Sequence, residues 1–190
     1  MITLILTDCQ DDFISGSMAC KNSKEAIQNI REFIKNYAKE IDKILFVVDW
    51  HPFNHESFKQ FGGKYPVHCV QYTPGACIDS KILKLVRSLN INYEVSQKGV
   101  VVEDCDESSA FNDIEYVKDF LGDKYYFDSI VSASVDSDFI VTGHDVSVMP
   151  IIYNMMREGI TPKVFPKGII CKDKSSFNYF TEVNHLEEIL

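Results

Sequence analysis

Residues 44–71 read ILFVVDWHPFNHESFKQFGGKYPVHCVQ. The opening run, Ile44 to Val48, is apolar without a break and lies between Lys43 and Asp49. Such a run reads as a strand buried on both faces, the kind found in parallel sheets. In open α/β sheets ligands collect outside the carboxyl ends of the strands, so Asp49 and His51 stand where a site is expected. Positions two apart in extended backbone point to one side, which turns this carboxylate and imidazole toward a common space. His68 follows the Gly62-Gly63 turn and is a third candidate. Two imidazoles and a carboxylate suit a borderline divalent metal with coordination positions left open. A single Asp-x-His is also common in hydrogen-bonded loops, and His55 is a nearby histidine that fits a solvated position equally well.

Working outward, Ile2–Thr7 is a second strand of the buried type and ends in Asp8-Cys9-Gln10-Asp11-Asp12-Phe13. Asp8 closes the strand, whereas Asp11 and Asp12 read as loop or helix-capping residues. From Ser23, the expected N-cap, Ala26, Ile27, Ile30, Phe33, Ile34 and Tyr37 recur at helical spacing and return the chain to the 44–48 strand. That makes one βαβ unit and a parallel pair. Residues 78–89 predict a crossover helix, and a strand over 93–97 delivers Lys98 to the same edge. This lysine is either an ion-pair partner for Asp8 or a solvated surface cation. A weaker helical pattern covers 107–121, and 122–137 fits an extra strand or arm. A strand over 138–143 precedes His144-Asp145-Val146-Ser147. A helix follows from Val148 to Gly159 with Pro150 in its first turn, then a strand over 163–166 and a closing helix over 176–190. The expected fold is α/β, a doubly wound and mainly parallel sheet with helices on both faces, as a single domain over residues 1–190.

The composition excludes several function classes. An apolar fraction of 45% is ordinary for a globular chain, and no apolar run reaches the roughly 18 residues that span a bilayer. A formal net charge of −9 argues against nucleic acid or an anionic membrane as partner. No basic, apolar leader follows Met1, and the six cysteines, at 9, 20, 69, 77, 105 and 171, form no CxxC pair. They read as reduced thiols of a cytoplasmic protein.

Together the strand-end residues resemble the nicotinamidase and isochorismatase-like cysteine hydrolase superfamily. Asp8 to Phe13 is similar to its D-x-Q-x-D-F opening, and Asp49-Trp50-His51-Pro52 with His55, Ser57 and Phe58 to its D-W-H-P-x-x-H-x-S-F segment. Pro66 to Gln71, continued by Thr73 to Ala76, resembles W-P-x-H-C-V-Q-x-T-x-G-A. Lys98-Gly99 and Ser109-Ala110-Phe111 resemble the K-G and S-A-F region. The resemblance implies that Asp49, His51 and His68 bind a divalent metal, zinc before iron or manganese. It implies that Asp8 and Lys98 are catalytic, and that Phe13 and Tyr65 line the substrate pocket, Tyr65 standing where the family has tryptophan. It further implies an amidase of pyridine nucleotide metabolism, assembled as a homo-oligomer and acting on a small amide.

The family's nucleophilic cysteine is replaced. Counting back from Gly159, Ser147 falls at its position. Between Gly143 and Asp145 the loop is shorter than the family's by about two residues, in the part that ordinarily contributes a cis peptide and oxyanion-hole donors. A serine hydroxyl needs a stronger base than a thiol does. His144 is close enough in sequence to serve as that base, or else packs or caps. The expectation is a metal-dependent amidohydrolase of nicotinamide or a related small carboxamide with Ser147 as nucleophile. The alternative is an inactive member that binds a metal and a small ligand or protein partner.

Overall fold

The computed structural model describes residues 2–102, 138–157 and 159–171 of the 190-residue chain. Among the described residues five strands form one sheet: β1 (Ile2–Thr7), β2 (Ile41–Asp49), β3 (Asn92–Lys98), β4 (Asp138–Gly143) and β5 (Lys163–Val164). Their spatial order is β3-β2-β1-β4-β5, and all four neighbouring pairs are parallel. Among the described residues the α-helices are α1 (Asp11–Ile14), α2 (Ser23–Asn36), α3 (Ser80–Ser88) and α4 (Asp145–Arg157).

Side-chain alternation along the strands builds two cores, one on each face of the sheet. Leu4 and Leu6 of β1, with Ile44, Phe46 and Val48 of β2, pack against Ile27, Ile30 and Ile34 of α2 and Ile82 and Val86 of α3. Ile5, Leu45, Val47 and Val141 point the other way, onto Val148, Ile151, Ile152 and Met155 of α4. The sheet is therefore doubly wound with helices on both faces, as the apolar runs imply. No helix among the described residues is long and apolar enough to cross a membrane.

Several boundaries differ from the sequence reading. Strand β2 begins at Ile41, because Ile41 is buried and pairs with Ile2 while Lys43 leaves the core to meet Glu94 at 2.7 Å. The charged residues at 42 and 43 hide that start in a hydropathy pattern. Strand β5 is only two residues long. Asn22 is the N-cap residue of α2, and Ser23 lies inside the helix, its Oγ accepting from the Cys20 N–H at 2.8 Å. Helix α3 starts at Ser80, capped by the Asp79 side chain, which accepts from the Lys81 and Ile82 N–H groups. Helix α4 begins at Asp145, so Pro150 is interior to it rather than in its first turn. An interior proline costs about 3 kcal/mol. Four fully buried apolar side chains, at about 1.5–3 kcal/mol each, outweigh that cost.

The expectation of reduced thiols is corrected at one pair, since Cys20 and Cys171 are joined by a disulfide. Sequence spacing gives no hint of it, as 151 residues separate the two. The expected helices over 107–121 and 176–190, the arm at 122–137, and Cys105 lie outside the described residues.

Candidate active site and metal centre

The sheet's strand order reverses between β1 and β4, and a ligand crevice is expected at the carboxyl ends of those two strands. Asp8 directly follows β1, held with φ at 51° and its N–H on the Val47 carbonyl at 2.8 Å. Ser147 lies in the first turn of α4, immediately after β4. Its hydroxyl donates to Asp8 Oδ2. Parallel register alone brings the next pair together: Asp49 ends β2 opposite Lys98, which ends β3. The Lys98 ammonium donates to Asp49 Oδ1 and lies 3.2 Å from Asp8 Oδ1, so it joins two carboxyl groups from adjacent strands. All four side chains are buried.

Asp49 turns its other oxygen, Oδ2, toward two imidazoles. His51 Nε2 and His68 Nε2 each lie 3.5 Å from it. The opposite ring nitrogens face backbone carbonyls: His51 Nδ1 is 3.0 Å from the Gly99 oxygen, and His68 Nδ1 is 2.8 Å from the Pro66 oxygen. Anchoring Nδ1–H in this way fixes the tautomer and leaves the Nε2 lone pair facing the carboxylate, which is how metal-binding histidines are oriented. The three donor atoms lie within 4.8 Å of one another. Burial pushes the Asp49 carboxyl up, but the charge of the adjoining Lys98 outweighs it and holds it well below the usual carboxylate range. Two imidazoles and an ionised carboxylate fit a divalent metal with open coordination positions.

Residues not singled out in sequence hold this arrangement. The Gln10 amide is fully buried: Nε2 donates to the Asp49 and Ala76 carbonyls at 2.7 and 2.9 Å, and Oε1 accepts from the Asp49 N–H at 2.8 Å. Asp12, read as a loop or capping residue, accepts from the Cys69 N–H at 2.7 Å and so positions the residue after His68. Gly99 has φ +64°, and a Cβ there would meet the His51 ring at 2.3 Å. His55 is buried against His51, with ring centroids 4.2 Å apart and Nδ1 2.7 Å from Ser57 Oγ. The only signal for Gln10 was its place in the D-x-Q opening; for Gly99 it was its place after Lys98.

The expected pocket residues flank His68. The Phe13 and Tyr65 rings are 5.6 and 5.9 Å from the His68 ring. Phe13 also lies 4.7 Å from the ring of His144, which is 4% exposed, and whose imidazole burial holds at a pKa of about 4. Neither Cys9 nor Cys69 is a ready nucleophile. Burial, with nearby carboxylates adding to it, pushes both thiols far up. Four N–H groups of the turn entering α4 are also committed. The N–H groups of His144, Asp145, Ser147 and Val148 bond to the carbonyls of Thr7, Ile170, His144 and His144 respectively. Among the described residues no peptide bond is cis.

An isochorismatase domain model matches residues 3–87. Nicotinamidase of Saccharomyces cerevisiae is 27% identical over 183 residues, covering 80% of this chain and 83% of its own length. The structure of the yeast nicotinamidase superposes with a TM-score of 0.73 at 23% identity, over 100% of this chain and 95% of that one. The zinc complex of Pyrococcus horikoshii pyrazinamidase gives 0.68 at 21% identity, over 92% and 89% of the two chains. The domain match over the first part of the chain, the relative and the shared fold agree in making this chain similar to the nicotinamidase and isochorismatase-like superfamily.

Proposed function

We propose that the protein is a metal-dependent amidohydrolase of nicotinamide or a related small carboxamide, with Ser147 as its nucleophile. The observation that carries this reading is the hydrogen bond from the Ser147 hydroxyl to Asp8, whose other oxygen lies 3.2 Å from the Lys98 ammonium. Ligand binding alone requires no buried hydroxyl–carboxylate–ammonium chain. Asp8 takes the Ser147 proton as Oγ bonds to the amide carbon, and hands it to the leaving nitrogen when the C–N bond breaks and ammonia departs. Water then hydrolyses the acyl ester, with Asp8 again as base. Asp49, His51 and His68 would hold the divalent metal, whose part when bound is to fix the ring nitrogen of the substrate and so orient the amide. Phe13 and Tyr65 border that space. The nicotinamidase relative supports the amide class, and the zinc complex among the structural neighbours supports zinc.

A second reading, binding without turnover, is favoured by the committed N–H groups at the start of α4. Each oxyanion donor lost costs about 3–4 kcal/mol of barrier. Ammonia release from nicotinamide by metal-loaded protein separates the two. Catalysis by Ser147 predicts measurable release that Ser147→Ala abolishes. Absent release together with calorimetric binding of nicotinamide would establish the binding reading instead.

A further inference from the structure

A second group of ligand atoms, from Cys20, His144 and Cys171, is not used by the chemistry above. Cys20 precedes α2, and Cys171 follows the 3-10 turn Pro166–Gly168. Their Cα atoms are 5.4 Å apart. The two sulfurs and a ring nitrogen of His144 lie within 4.8 Å of one another. His144 is 4% exposed, and neither of its buried ring nitrogens has a hydrogen-bond partner, although Nδ1 lies 3.3 Å from Asp145 Oδ1. A buried, unsatisfied imidazole nitrogen beside two sulfurs is an expensive arrangement unless something accepts its lone pair.

Hydrogen bonds besides the sulfur–sulfur bond tie the three residues into the fold. Asn22 accepts from the Cys171 N–H at 3.0 Å and donates to the Ile169 carbonyl at 2.8 Å. Ile170 donates to the Gly143 carbonyl at 2.8 Å, and the Asp145 N–H donates back to Ile170 at 3.1 Å, on either side of His144. The Cys20 N–H is fastened to Ser23 Oγ. Both cysteines are half-buried, so solvent reaches the pair.

We propose that Cys20, Cys171 and His144 form a thiol-gated metal site for a zinc-like thiophilic divalent cation, separate from Asp49, His51 and His68. A Cys₂His set with one open position is a known zinc donor set, and thiolates select such metals over hard cations. In the disulfide form the site is closed. A dithiol reductant opens it: the S–S bond takes two electrons and two protons, the reductant becomes its own disulfide, and two thiols result. The cation then displaces both thiol protons, forming two metal–sulfur bonds and one metal–nitrogen bond. Asp145, 3.3 Å from Nδ1, acts as the carboxylate partner that orients the imidazole.

Cobalt(II) and zinc titrations in a His51→Ala/His68→Ala background isolate the site. Reduced protein is expected to bind one equivalent and to show a thiolate-to-cobalt charge-transfer band, absent from the oxidised form. Cys20→Ser and Cys171→Ser are expected to abolish the band, and His144→Ala to weaken binding by about tenfold or more. As a check that needs no cysteine variant, zinc should slow alkylation of Cys20 and Cys171 in reduced wild-type protein while the exposed Cys77 reacts unchanged. The proposal is overturned if reduced protein shows no such band, if the band survives in both serine variants, or if zinc leaves the alkylation of Cys20 and Cys171 unaltered.

Discussion

Gly99 shows how far a single residue reaches into the candidate metal centre. Its carbonyl anchors His51 Nδ1, and its missing side chain makes room for the same ring. Gly99→Ala is expected to displace His51 and weaken metal binding by about 10–100-fold, read by competition with a chromophoric chelator. His144 makes a second residue-scale prediction. Burial holds its folded pKa at about 4 against 6.5 in the unfolded chain, so between those values the unfolded state binds more protons. Stability is therefore retained above about pH 6.5 and lost as the pH falls toward 4. Between about pH 7 and 5 the loss from this residue is about 2 kcal/mol, and His144→Asn should remove that share in urea titrations of oxidised, metal-free protein. At this scale the sequence was informative where a residue closes a strand: Asp8, Asp49 and Lys98 were legible because their positions follow from apolar runs. Gln10, Asp12 and Gly99 were not, because their roles consist of hydrogen bonds to backbone remote in sequence, which no periodicity records.

Among the elements, the junction of β1, β2 and the 3-10 turn Pro74–Ala76 depends on Gln10. Its amide satisfies the N–H and carbonyl of Asp49 and the carbonyl of Ala76. Gln10→Leu would leave three buried backbone groups without partners, at about 1–3 kcal/mol each if none finds water. The expected result is a loss of about 3 kcal/mol or more in denaturant unfolding, together with weaker metal binding because Asp49 is no longer clamped. Unchanged unfolding in that variant would show that β2 holds Asp49 unaided. Strands β1 and β4 were legible to the residue because both of their faces are covered. Helix α4 was misread at its start because its first turn carries the polar residues of the site, and an apolar stripe cannot register them.

For the whole molecule, the Cys20–Cys171 link closes a loop spanning 151 positions of sequence. Constraint of the unfolded chain on that scale is worth about 2–5 kcal/mol. Reduction should lower the urea midpoint accordingly, while Cys171→Ser should unfold alike with and without reductant. The fold itself was readable from run lengths and strand-end chemistry, but a bond between distant cysteines was not. The shared position of Lys98 has one more consequence. Its ammonium serves Asp8 on one side and Asp49 on the other, so a cation settling against Asp49 competes for the charge that Lys98 now neutralises. Ion occupancy and the acceptor strength offered to the Ser147 hydroxyl then become conjugate variables. By reciprocity, whatever filling one half of the cleft does to the other is returned with the same free energy, making the cleft a two-input device wired through one lysine.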